Sequence, residues 1–222
     1  MMKKLLGILL ILFMTTSVYS EESEFEKTKV LAEQGDAEEQ TNLGFMYYYG
    51  QDVEQDYKKA FYWYKKSAEQ GYVEAQYQLG VMYEEGKGVE KDYKKAFYWW
   101  QKSAEQGDAN AQYFLGYMYY KGRGVLQDYK QAVYWWKKAA EQGISAAQYQ
   151  LGVIYYNGQG VEQDFVKAYM WFNISAYSGK SSLLGNSNAL KARDIVSKEM
   201  PSEQIQEAQR MAKEWIEKFE KR

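Results

Sequence analysis

Histidine and cysteine are both missing from the 222 residues, and proline occurs once. Without histidine or cysteine the chain cannot assemble a Ser-His-Asp triad, a Cys-His pair or the usual zinc clusters; carboxylate chemistry stays formally open, and no catalytic, metal or cofactor residue is singled out. The lack of cysteine also excludes disulfides and a lipidated N-terminal cysteine, and it suits an oxidising destination, where an unpaired thiol is a liability. No excess of positive charge is present either: 28 basic residues face 30 acidic ones. A phosphate-binding surface needs a basic excess, so nucleic acid is not an expected partner.

Long apolar runs are scarce too. The longest, Leu5 to Met14, is shorter than the roughly 20 residues a membrane span requires. It follows Lys3 and Lys4 and precedes Val18-Tyr19-Ser20, the layout of a secretory signal peptide cut after Ser20. The alternative is an uncleaved anchor. Loss of Lys3 and Lys4 with such a segment leaves 26 basic residues against 30 acidic, a formal charge of −4. The expectation is an exported protein, periplasmic or secreted, that meets the membrane only through residues 1–20.

What the chain has in quantity is core-forming residues, 46% hydrophobic and 18% aromatic, enough for the mature chain to fold throughout. It also has internal order. Ala-Glu-Gln-Gly recurs at 32–35, 68–71, 104–107 and 140–143, every 36 residues. Leu43, Leu79, Leu115 and Leu151 align at the same period, each followed by glycine and, three residues after that glycine, tyrosine. Columns of Gly50, Val53, Asp56, Ala60 and Trp63 repeat likewise to Gly158, Val161, Asp164, Ala168 and Trp171. A strict period of this length marks a solenoid whose units stack on their neighbours.

Within 72–107, Ala75, Leu79, Met82 and Tyr83 fall at helical spacing and predict a first helix, A, over about 74–85. The Gly80 column lies on its apolar side. A glycine inside a helix costs about 0.5–1 kcal/mol, so its recurrence implies close approach of the partner helix. Gly86 and Gly88 supply a positive-φ turn, Asp92 caps a second helix, B, over about 93–106, and Gly107 ends it. Ala96, Trp99, Trp100, Ser103 and Ala104 form its buried stripe, and the lysines, from Lys58 to Lys138, its solvated outer side.

These columns, A-x-x-x-LG-x-x-Y-x-x-G-x-G-V-x-x-D-[YF]-x-x-A-x-x-W and the Ala-Glu-Gln-Gly tag, resemble the Sel-1-like repeat (SLR) family, relatives of the tetratricopeptide repeats. The resemblance implies an all-α, right-handed α/α solenoid. It divides the chain into a signal peptide (1–20), an N-terminal half repeat (21–35), four full repeats (36–179) and a C-terminal helical cap (180–222), with a polar break at 180–182. Departures fall at Glu39 for alanine, Asp52 for the second loop glycine, and Ala176-Tyr177-Ser178-Gly179 for the tag.

Helix A carries a second recurring face, on the side that lines the concave surface in tetratricopeptide-like solenoids. Its columns contain Phe45, Tyr48, Tyr77, Tyr113, Tyr117, Tyr120, Tyr149 and Tyr156 with two valines, ten large apolar or aromatic residues in sixteen positions. Tyrosine combines rigid apolar area with a hydroxyl, the chemistry of recognition surfaces. These eight residues and Glu84 are the candidate partner-binding set, and Glu38, Glu74 and Glu84 favour a peptide with basic or amide groups. The competing reading is that the tyrosines only pack on one another between repeats.

Glu84 and Glu85, adjacent on a helix, point about 100° apart and do not face one another as an acid/base pair. Gly86-Lys87-Gly88 lacks the ending of a phosphate-binding loop and recurs in every repeat. By resemblance the chain is a non-enzymatic adaptor or scaffold for protein or peptide partners in the cell envelope. Two alternatives are a peptidoglycan or carbohydrate binder using the same tyrosines and, since a cysteine-rich branch of the family has β-lactamase activity, an enzyme of that kind.

Overall fold

Aspartate and glycine punctuate the chain into helices where the spacing predicts them. The structure, a computed structural model, describes residues 23–178 and 183–221; the predicted signal segment and the polar break at 180–182 lie outside the described residues. Helix α1 (Glu24–Glu33) is the half repeat. The first helices of the four repeats are α2 (Ala37–Tyr49), α4 (Val73–Glu85), α6 (Ala109–Lys121) and α8 (Ser145–Asn157), and the second helices are α3 (Tyr57–Glu69), α5 (Tyr93–Glu105), α7 (Tyr129–Glu141) and α9 (Phe165–Ser178). Helix α10 (Leu183–Val196), a short 3-10 turn and α11 (Ser202–Glu220) follow. No strand occurs among the described residues, and each helix packs on its neighbours in sequence. The fold is an all-α solenoid of paired helices.

Every A helix ends on a left-handed glycine, Gly50, Gly86, Gly122 or Gly158, with φ between 64° and 75°. The chain then turns so that the amide of Asp92 donates to Tyr83 O at 2.9 Å, repeated at Asp56, Asp128 and Asp164. Asp92 Oδ1 in turn accepts from the amides of Lys94 (2.9 Å) and Lys95 (3.1 Å), satisfying two orphan donors of α5. Asp52, the loop departure, takes φ 57°, the left-handed conformation an aspartate tolerates.

The core column Leu43, Leu79, Leu115 and Leu151 is fully buried. Over each following glycine lies an aromatic ring from the B helix of the same repeat. A methyl at Gly44 would come within 2.7 Å of the Tyr64 ring, one at Gly152 within 2.6 Å of Phe172, and at Gly80 and Gly116 it would overlap the indoles of Trp100 and Trp136. The helix-interior glycine is therefore explained by close approach, made by a side chain. The closing ring belongs to the Trp100 column; the Trp99 position sits at the edge of the stripe, half-buried in the first repeats. The Trp100 indole N–H donates to Tyr77 O and that of Trp136 to Tyr113 O, each at 3.1 Å.

A polar seam runs through the joints. Gln76 Nε2 donates to Ala68 O (3.2 Å), and Gln106 Nε2 donates to Gly71 O (3.1 Å) and to Gln76 Oε1 (2.8 Å). The same set recurs with Gln40 and Gln70, and with Gln112 and Gln142. In the fourth repeat Ser178 replaces the tag glutamine, and Gln148 Oε1 is buried with no partner among the described residues.

The C-terminal hairpin packs on α9. Trp215 meets Trp171 at 5.8 Å between ring centroids and stacks on Phe219 at 5.1 Å. Tyr177 donates to Glu220, and Gln209 donates to Tyr169 at 3.2 Å. Beneath this cover Met170 and Ile174 are buried where the other repeats place exposed Tyr and Lys. No helix among the described residues is long and apolar enough to cross a membrane.

Candidate partner-binding face

The A helices bury Leu79, Met82 and their repeats against the B helices, which leaves the Tyr77 column on another side. Tyr77, Tyr113 and Tyr149, one per repeat, are each partly buried and each lines a cavity. A cavity of about 610 Å³ opens beside Tyr72, Glu74, Tyr77, Asp108 and Asn110, where α4 and α6 begin. A second, of about 340 Å³, is lined by Tyr113, Ser145, Ala146, Tyr149, Gln150 and Asn188 among others. A third, of about 170 Å³, lies between Tyr149, Val153, Tyr156 and Phe172 and the α10 residues Ala192, Ile195 and Val196. Burial pushes the Tyr77 hydroxyl up to about 12, and it raises that of Tyr113, against a hydrogen bond with the Gln150 side chain.

The remaining predicted residues are distributed unevenly. Phe45 is exposed and tilted against Tyr49 at 4.4 Å, beside a separate small cavity at the α1 end. Tyr117 lies 5.5 Å beneath the Arg123 guanidinium, and Tyr120 donates to Gln159 Oε1 at 3.3 Å in the next repeat. Tyr156 rests on Phe165 at 5.6 Å. Burial raises the Glu84 carboxyl above the ordinary carboxylate range, with Arg123 acting in the opposite sense.

Tyr48 departs from the expected surface position. It is only 8% exposed, packed on Tyr57 at 5.2 Å, and its hydroxyl donates to Glu85 Oε2 (3.1 Å) while accepting from Lys87 Nζ (3.0 Å). Lys87 and Glu85 pair at 2.9 Å, and the two bonds to Lys87 hold its ammonium well above the usual lysine range. At this position the next repeat closes over the ring, so Tyr48 is a joint between units. Thr41, which stands in the Tyr77 column of the first repeat, is likewise closed off, with its hydroxyl 2.7 Å from Ser67 Oγ.

Two features are not carried by the core periodicity of the sequence. The glutamine seam is one; its signal is the coincidence of a helix-A glutamine column with the glutamine of the tag. The other is on the outer side of the B helices, where Tyr62, Tyr98 and Tyr134 are half-exposed, each 5.0 Å from the tryptophan that follows it. Lys66, Lys102 and Lys138 sit 4.9, 5.2 and 5.3 Å from these tyrosine rings. The lysines of this solvated face thus also lie against its aromatics.

Comparison with known proteins agrees with the geometry. The sequence profile described as the Sel1 repeat matches residues 40–72, 73–108, 109–144 and 145–180. A crystal structure of a Sel1 repeat protein from Oxalobacter formigenes is 31% identical over 76% of this chain and 75% of its own, with a TM-score of 0.64. A protective antigen present in uropathogenic Escherichia coli strains, described as displaying an SLR fold, is 35% identical over 89% of this chain, with a TM-score of 0.54. The chain spans about half the length of that E. coli protein, 50%. No curated protein gives a significant match.

Proposed function

From the membership of this chain in the Sel1-repeat family, whose fold is a scaffold for protein–protein contact, we propose that it is an exported adaptor that holds a segment of a partner protein along the A-helix face. The observation that carries this reading is the Tyr77, Tyr113 and Tyr149 column. Three rigid amphipathic rings recur at one repeat's spacing, and each borders a cavity that the fold leaves unfilled. Large aromatics beside concavities are where binding energy concentrates. Residues 1–20 support export by their layout, and a chain without cysteine has no counterpart of the disulfide-linked repeats of the family branch with β-lactamase activity.

The test is a matched capture experiment. The wild type and a Tyr77→Ala/Tyr113→Ala/Tyr149→Ala variant are compared on envelope protein and on purified cell-wall fragments, with circular dichroism as the control for folding. A defined protein retained by the wild type and lost by the folded variant is the expected result. Equal retention by both removes the face from consideration, and tyrosine-dependent retention of cell-wall material transfers the same face to carbohydrate. Mass measurement of the exported chain checks processing: a start at Glu21 is expected, and an intact Met1 in the envelope fraction contradicts cleavage.

A further inference from the structure

The three cavities along the A helices differ in chemistry, in order. The first has two carboxylates, Glu74 and Asp108, among its lining residues and no lysine or arginine. Among the described residues neither carboxylate is in an ion pair with the chain's own cations, although Asp108 Oδ1 caps α6 by accepting from the Ala111 amide at 2.6 Å. Three more carboxylates contribute to the field there. The Tyr72 hydroxyl at the rim is raised first by burial and then by Glu38, Glu74, Asp36 and Glu39. The second cavity is lined by neutral polar and small groups, including Ser145, Ala146, Gln150, Ser175 and Asn188. The third is apolar on every side, and Ile195 at its edge is 54% exposed.

The three form one path. Asn110 of the first cavity and Tyr113 of the second are three residues apart on α6, one above the other on the same face. Tyr77 meets Phe114 at 6.1 Å and Phe114 meets Tyr113 at 5.3 Å, a continuous aromatic floor. Tyr149 is shared by the second and third cavities.

We propose that this path takes a bipolar peptide segment of a partner protein, with a lysine or arginine in the cavity between α4 and α6 and an aliphatic or aromatic side chain in the cavity between α8 and α10. The inference rests on the partner-binding reading of the A-helix face and adds the chemistry and direction of what is bound. Complementary charge at one end and apolar area at the other fix register, because a reversed segment would place a cation in the apolar cavity and an apolar group among carboxylates.

Panning a random 12-residue peptide library against the full chain tests this. Peptides that carry a cation toward one end and a large apolar residue toward the other are expected to be enriched. For a synthetic peptide so selected, the Glu74→Gln/Asp108→Ser variant, in which serine keeps the helix cap, should weaken binding about fivefold to tenfold. Replacing the peptide's lysine by glutamine should weaken it equally, with no further loss when both changes are combined. Ile195→Ser should weaken binding only through the apolar end. Enrichment without this polarity, or affinity unchanged in Glu74→Gln/Asp108→Ser, overturns the bipolar assignment while leaving the face as a binding site. Enriched peptides that bind the Tyr77/Tyr113/Tyr149 alanine variant as well as the wild type overturn both, as does a library that yields no binder.

Discussion

Gly80 is held in the middle of α4 by the bulk of another residue. Alanine there would gain about 1 kcal/mol of helix propensity, yet its methyl would overlap the Trp100 indole, whose N–H is fixed to Tyr77 O. Overpacking of this kind costs about 1–3 kcal/mol, so Gly80→Ala should lower the melting temperature despite the better helix former; a rise would mean that the ring moves freely. Ser178 is the opposite case, a residue too short for its place. Ser178→Gln restores the tag glutamine opposite Gln148 Oε1 and should stabilise the fold by about 0.5–1.5 kcal/mol in chemical denaturation, the worth of an ordinary hydrogen bond. No gain in that measurement would show that the acceptor does not need the seam's last rung.

At the scale of the element, the helices were legible because their ends are written in residue types with one dominant use. Asp92 and Gly86 mark a start and a stop by chemistry that depends on a few neighbouring amides. The Asp56 and Asp92 carboxyls are held below the ordinary value of 3.8 by the amides of Lys59 and Lys95 first, against slight desolvation, and then by Lys58 and Lys94. A depressed carboxylate contributes stability above its unfolded value and loses it as the pH falls through the folded one. The thermal stability of the protein should therefore decline below about pH 4, and Asp56→Asn/Asp92→Asn, which keeps the caps uncharged, should flatten that decline in melting curves taken between about pH 5 and pH 2. An unchanged acid limb would locate the loss elsewhere. What the sequence could not disclose depends on a second element. Tyr48 and Tyr77 look alike in helix A, yet the end of α4 and the loop after it close over Tyr48 through Glu85 and Lys87, while Tyr77 borders open space. The glutamines were hidden for a similar reason, since a polar residue in a helix is expected at the surface until a partner from the next unit is known.

At the scale of the whole molecule, the two ends of the array are treated differently. Toward the C-terminus α11 covers α9, and the sequence responds with Met170 and Ile174 where the open units carry tyrosine and lysine. Between the ends the first three joints use the same parts: the aromatic pairs Phe25–Tyr47, Phe61–Tyr83 and Phe97–Tyr119 meet edge to face at 5.7, 5.4 and 5.4 Å, and the glutamine seam crosses these boundaries alike, whereas the fourth joint has Val133 in the phenylalanine column. Excising 72–107 would join Gly71 to Asp108 and set Phe61 against Tyr119 and Gln112 against Ala68 O. The shortened chain should fold with the same helical content per residue and a smaller radius of gyration by small-angle scattering; an unfolded product would show that the joints are not equivalent. If they are, the array is a measuring stick graduated in whole units, and its length is decided by how many times one 36-residue phrase is written.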